Sequence, residues 1–230
     1  MFYRPLAVVA SLAAAAGGLA AAQASRPSPP SPAVGAPPVV VFLGDSLTAG
    51  FGLAAEEAFP ALVAATLAGR GTPIRAINAG VSGDTTAGGL RRLDWALKSR
   101  PEVVVVALGA NDGLRGQPLE SIEANLNAIV EKARAAGARV LLAGMLMPPN
   151  YGGEYASGFA AIFPRVAKQQ GVPLVPFLLE GVAGHPELNQ PDGIHPTAEG
   201  QRIVARNVEP YLAELVAAAP AAGAGAKTGR

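Results

Sequence analysis

Ser46 lies in "VVVFLGDSLTAG" (residues 39–50), where an apolar run stops at Gly44 and a hydroxyl follows a single acidic residue. A serine so placed has two readings. It is a favoured helix N-cap, or it is a nucleophile whose general base must come from elsewhere in the chain. Only two histidines are present, which narrows the search for that base. His195 stands in "QPDGIHP" (190–196), three residues after Asp192. A carboxylate at that spacing can fold back to accept Nδ1–H, which fixes the tautomer and leaves Nε2 free to take a serine proton. The plainer reading is a helix-start histidine capped by Asp192; the pairing with Ser46 rests on His195 being the one good base. His185, in "GHPELN", has only Glu187 nearby, beyond a proline, and reads as a surface loop residue.

Acyl chemistry at a serine also needs donors for an oxyanion. Gly83 in "VSGDT" lets a substrate oxygen approach a main-chain N–H. The N–H of Ser46 and the side-chain amide of Asn111 in "GANDG" are the other two candidates. Each has a plainer alternative: a turn glycine at 83 and a turn-stabilising Asn-Asp pair at 111–112. Asp45, adjacent to the serine, suits bracing its own loop by accepting backbone N–H bonds better than serving as the acid of a triad.

These residues need a scaffold that gathers them. Apolar runs at 39–43, 74–78, 103–108, 139–144 and 173–177 are the strand candidates. "VVVVAL" (103–108) shows no period-two alternation, the mark of a parallel strand covered on both faces. Helical patterns fall at about 56–69, 87–99, 118–136, 155–170 and 197–215. In 87–99, Leu90, Leu93 and Leu97 make one stripe, with Arg91, Arg92 and Lys98 off it. Strand–helix alternation with five strands predicts a three-layer α/β domain with right-handed crossovers. In such sheets functional groups collect beyond the strands' carboxyl ends. The segments there are Gly44-Asp45-Ser46, "NAGVSGDTT" (78–86), "GANDG" (109–113), "MLMPPNYGG" (145–153) and "QPDGIHP", and they concentrate the polar and glycine content.

The chain of 230 residues carries a formal net charge of +1, with 15% charged and half apolar residues. It has no basic stripe for a polyanion, so nucleic acid is not an expected partner. Cysteine is absent, which excludes disulfides and thiolate ligands. Residues 1–24 have one cation at Arg4, an apolar stretch and Ala22-Gln23-Ala24, the pattern of a signal peptide cleaved after Ala24. Because the stretch is mostly Ala and Gly, it is weak as a lasting membrane anchor. An exported protein, periplasmic or secreted and without a stable anchor, is expected. Residues 25–38 form a Pro-rich linker, 39–217 the folded domain and 218–230 a flexible tail.

Gly44-Asp45-Ser46-Leu47, "NAGVSGDTT", "GANDG" and "DGIHP", in this order, resemble the SGNH hydrolase superfamily of GDSL esterases and lipases. Four blocks spread over the folded span are far more specific than the tetrapeptide alone. The resemblance maps the four hallmark residues onto Ser46, Gly83, Asn111 and His195, with Asp192 as the acid. "GANDGLRGQPL" and "DGIHPTAEGQ" are similar to the exported bacterial arylesterase, acyl-CoA thioesterase and lysophospholipase subgroup. That resemblance implies a flavodoxin-like single domain, a shallow adaptable site, no metal and no cofactor. The expected partner is a small-molecule ester or thioester, handled by a monomer through a Ser46–His195–Asp192 triad and an acyl-enzyme. Met145, Leu146, Met147 and Tyr151 line an acyl channel in one reading and pack on the core in the other. Two rivals stand beside hydrolysis. A glycan O-acetyl esterase or acyltransferase would show itself in the products formed with an acceptor alcohol. A non-catalytic binding module would ignore a fluorophosphonate. A metal hydrolase is disfavoured by two histidines and no His-Glu-x-x-His.

Overall fold

The computed structural model describes residues 36–218. The expected leader, most of the expected Pro-rich linker and the expected tail from 219 onward lie outside the described residues. Five strands, β1 (Val39–Gly44), β2 (Arg75–Gly80), β3 (Val103–Ala107), β4 (Arg139–Ala143) and β5 (Leu174–Val175), form one parallel sheet in the order β2-β1-β3-β4-β5. Helices α1 (Ser46–Ala49), α2 (Phe59–Gly69), α3 (Thr86–Leu97), α4 (Ala110–Leu114), α5 (Leu119–Ala135), α6 (Gly153–Gln170) and α7 (Ala198–Ala217) alternate with them. Packing pairs α2 with α7, and α3 with α5 and α5 with α6. The result is the expected three-layer α/β arrangement.

All five residues of β3 are buried, as are Val40 to Gly44 of β1. Strands covered on both faces have no solvent side, which is why their sequences are continuous apolar runs. The register has a direct consequence for function. Gly44 at the end of β1 pairs with Gly80 of β2 on one side and with Ala107 of β3 on the other. Three strands therefore end level, and the segments following them emerge side by side.

The differences from expectation have local causes. The fifth strand spans two residues instead of 173–177, because Pro173 and Pro176 bracket it and cannot donate to a ladder. The helix expected at 56–69 divides into a short 3₁₀ turn, Ala55–Glu57, and α2; Pro60 falls in the first turn of α2, where its missing N–H costs nothing. "GANDG" holds the one-turn helix α4, too short to show a periodicity. Arg92, off the apolar stripe of α3, does not face solvent. Its side chain is 20% exposed, and the guanidinium donates to the carbonyl oxygens of Ala79 and Gly44 and to the Asp84 carboxylate.

Candidate active site

Ser46 is the first residue of α1, one residue past the level end of β1, and is almost fully buried. Asp45 is its N-cap and accepts the N–H of Leu47 through Oδ1 at 3.0 Å. This turns the chain abruptly from strand to helix and leaves the Ser46 hydroxyl facing the loop before α7. There His195 Nε2 stands 2.9 Å from Ser46 Oγ, across 149 positions of sequence. On the far side of the ring, Nδ1 is 2.7 Å from Asp192 Oδ2. Asp192 Oδ1 accepts the main-chain N–H groups of Ile194 and His195 at 3.0 Å each, so one carboxylate folds the loop and orients the imidazole. The hydrogen bond from His195, followed by these two backbone donors, holds the Asp192 carboxyl down at about 2. The loop is closed by a bridge between Asn189 and Pro196, and Thr197 caps α7 by accepting from Gly200 N–H. The Ser–His–Asp line expected from the spacing is thus assembled.

Asp45 plays the bracing part read from its position. Its carboxyl is 1% exposed, and burial raises it to about 6 against the pull of the Leu47 N–H. Asn111 Nδ2 donates to its Oδ2 at 3.3 Å, which ties the first turn of α4 to the nucleophile loop. The neighbour Asp112 is buried and accepts both the N–H and the hydroxyl of Thr86, at 2.8 and 2.6 Å. Gly83 adopts a left-handed φ of 79°, and its carbonyl accepts from Arg115. Through Asp84, Arg92 fixes the same turn to the ends of β1 and β2. Neither Arg92 nor Thr86 carries any pattern in the sequence that marks it as a brace.

Ser46, Gly83, Asn111 and His195 all border one cavity of about 790 Å³, whose walls are chiefly apolar. Met145, Leu146 and Met147 line it as the channel reading requires. Tyr151 does not. Its hydroxyl donates to the carbonyl of Leu114 at 3.3 Å, so it supports the wall from behind. The sequence reading missed Phe51, Leu114, Phe177, Leu179 and Ile194, which also line the cavity. Leu114 ends the one-turn helix α4 and the others sit in loops, where no periodicity separates a lining side chain from a packed one. His185 is an exposed loop residue facing Glu187.

Ser46, His195 and Asp192 in line, with Gly83 and Asn111 beside them around one apolar cavity, are residue types that acyl transfer calls for. The family model for GDSL-like lipase/acylhydrolase matches residues 42–203. Esterase TesA of Pseudomonas aeruginosa is 44% identical over 178 residues, covering 77% of this chain and 89% of that protein. The thioesterase 1/protease 1/lysophospholipase L1 of Escherichia coli is 41% identical over 178 residues, covering 77% and 84%. Among solved structures, the psychrotrophic esterase EstA of Pseudoalteromonas sp., inhibited by monoethylphosphonate, superposes with a TM-score of 0.74. It is 35% identical and covers 78% of this chain and 98% of that one.

Proposed function

The chain belongs to the GDSL-like lipase/acylhydrolase family, and from that premise we propose that it is a serine hydrolase of carboxylic esters and thioesters. Its substrates are short- and medium-chain acyl and aryl esters, with acyl-CoA and lysophospholipids in reach of the same chemistry. The observation that carries this reading is the unbroken line Asp192–His195–Ser46, at 2.7 and 2.9 Å, opening on an apolar cavity.

The cycle runs in two halves. Ser46 Oγ attacks the acyl carbonyl carbon while its proton passes to His195 Nε2, and the imidazolium is stabilised by Asp192. The oxygen of the tetrahedral intermediate takes hydrogen bonds from the N–H groups of Ser46 and Gly83 and from the Asn111 amide. Collapse expels the alcohol or thiol, which takes the proton from His195 and leaves an ester on Ser46. Water, deprotonated by the same nitrogen, attacks that ester, and the acid departs with Ser46 reprotonated. One chain supplies every group, so a monomer suffices.

The decisive experiment is labelling with a fluorophosphonate, combined with p-nitrophenyl ester turnover, in the wild type and Ser46→Ala. Labelling at Ser46 and loss of both signals in the variant are expected. Residual turnover near wild type in Ser46→Ala would refute the nucleophile. The enzyme is exported, on the strength of the leader pattern at 1–24. N-terminal sequencing of the exported protein is expected to begin at Ser25, and a start at Met1 would refute processing.

A further inference from the structure

Phe51 is a large apolar side chain left 47% exposed beside the Ser46–His195 pair. Its ring centroid lies 4.5 Å from that of the His195 imidazole, with the planes tilted by 33°. We propose that Phe51 is a positioning residue for the base: its face holds the imidazole in line with Ser46 and stabilises the cation formed when Ser46 gives up its proton. The inference rests on the triad reading above.

The contact is built by the backbone on both sides. The N–H of Phe51 donates to the carbonyl of Ser46 at 3.0 Å, so the ring is hung from the nucleophile's own residue. The carbonyl of Phe51 accepts from Gln190 Nε2 at 2.7 Å. That same amide donates to Pro196 O at 3.0 Å, and the Gln190 N–H donates to His195 O at 2.7 Å. One glutamine thus fixes the histidine loop and the phenylalanine loop to each other. Gly52 leaves room for it: its φ is +77°, and a Cβ there would fall 2.5 Å from Gln190 Oε1. The imidazole edges are already taken by Asp192 and Ser46, and Asp45 acts on the ring by charge. The aromatic face supplies what those groups do not, a surface that restrains rotation and attracts a cation within about 6 Å of its centroid.

Phe51→Leu keeps the apolar cover and removes the quadrupole, whereas Phe51→Trp keeps both. With p-nitrophenyl acetate, Phe51→Leu is expected to lower kcat by about two- to fivefold. The acid limb of kcat/KM should move to lower pH by about 0.3–0.7 of a unit, the same attraction read as a titration. Phe51→Trp should restore both. An unmoved acid limb in Phe51→Leu, or an equal loss in Phe51→Trp, would overturn the proposal. An NMR titration of the His195 ring protons in the same variants needs no turnover, and a shift to lower pH in Phe51→Leu is expected there too. Fluorophosphonate labelling of the wild type keeps the two ideas apart. No label on Ser46 with a displaced titration would refute the catalytic reading and leave the stack standing. A label with an undisplaced titration would do the reverse.

Discussion

Asn111 and Asp45 are joined by one hydrogen bond and both border the cavity, and their fates under mutation differ because one offers an amide donor and the other a buried carboxyl. An oxyanion donor acts on charge that exists only in the transition state, so its removal falls on kcat. Asn111→Ala is expected to reduce kcat by about 10²–10³-fold with KM changed little; steady-state kinetics on one p-nitrophenyl ester reads both, and an unchanged kcat removes Asn111 from the role. Asp45 matters through stability. Burial raises its carboxyl to about 6, so between the ordinary carboxylate range and pH 6 the folded protein holds a proton that the unfolded chain has lost. Stability from this group is therefore full at low pH, declines as pH rises through that window, and stays low above it. Asp45→Asn keeps the acceptor for the Leu47 N–H and abolishes the titration. The variant should gain on the wild type by about 2–3 kcal/mol between pH 4 and pH 8, visible as a difference in Tm that grows with pH; a difference independent of pH would refute it. Asp192 is the opposite case. It is ionised from about pH 2 upward, so the acid limb of activity belongs to another group. These two roles were legible from position alone: three residues ahead of a histidine, or one ahead of the serine. Tyr151 was not, since a loop aromatic beside apolar neighbours looks the same whether it lines a cavity or braces its wall.

Short elements carry Ser46, and they are held by contacts from distant ones. Gly80 lies level with Gly44, and a Cβ on it would come within 2.3 Å of the backbone nitrogen of Ala49. Only a glycine at the end of β2 lets α1 lie against it. From the other side, Gln201 of α7 is 1% exposed, accepts the N–H of Phe59 at 2.8 Å and donates to the carbonyl of Leu47 at 3.0 Å. It thereby joins α7 to the start of α2 and to the residue after Ser46. Gln201→Leu fits the space but leaves a buried donor and acceptor without partners. A loss of at least about 2 kcal/mol is expected, roughly 4–8 °C in Tm for a domain of this size. Thermal unfolding measures it, and a change within 1 °C would show that water or a local shift satisfies both groups. The long helices were legible because their apolar stripes span several turns. β5 and α4 were not: prolines truncate the first, and the second is a single turn.

At the scale of the molecule, packing does what no local pattern can: strands that end level bring the segments of Ser46, Gly83 and Asn111 to one edge, and the bonds of Gln190 to Phe51 and of Gln201 to Leu47 seat the His195 loop against Ser46. The alternation of strands and helices was enough to foresee that polar loops would meet at one edge of the sheet. It was not enough to foresee the shape of the cavity between them, since Phe177, Leu179 and Ile194 come from loops whose paths are set by tertiary packing. That shape governs which acyl groups are taken. A cavity of about 790 Å³ with apolar walls rewards added methylenes, each worth about 0.8 kcal/mol when fully buried. Turnover of p-nitrophenyl esters should therefore improve from acetate towards medium chains, through kcat/KM. Ala183 offers a way to test whether the cavity itself is responsible. It lines the wall yet is exposed, so a larger side chain there can enter the cavity without displacing the core. Ala183→Trp should lower kcat/KM for octanoate by about tenfold or more, the loss of two buried methylenes, while acetate stays within about twofold because Ser46, His195 and Asp192 are untouched. Equal losses on both esters would mean that the acyl chain lies elsewhere.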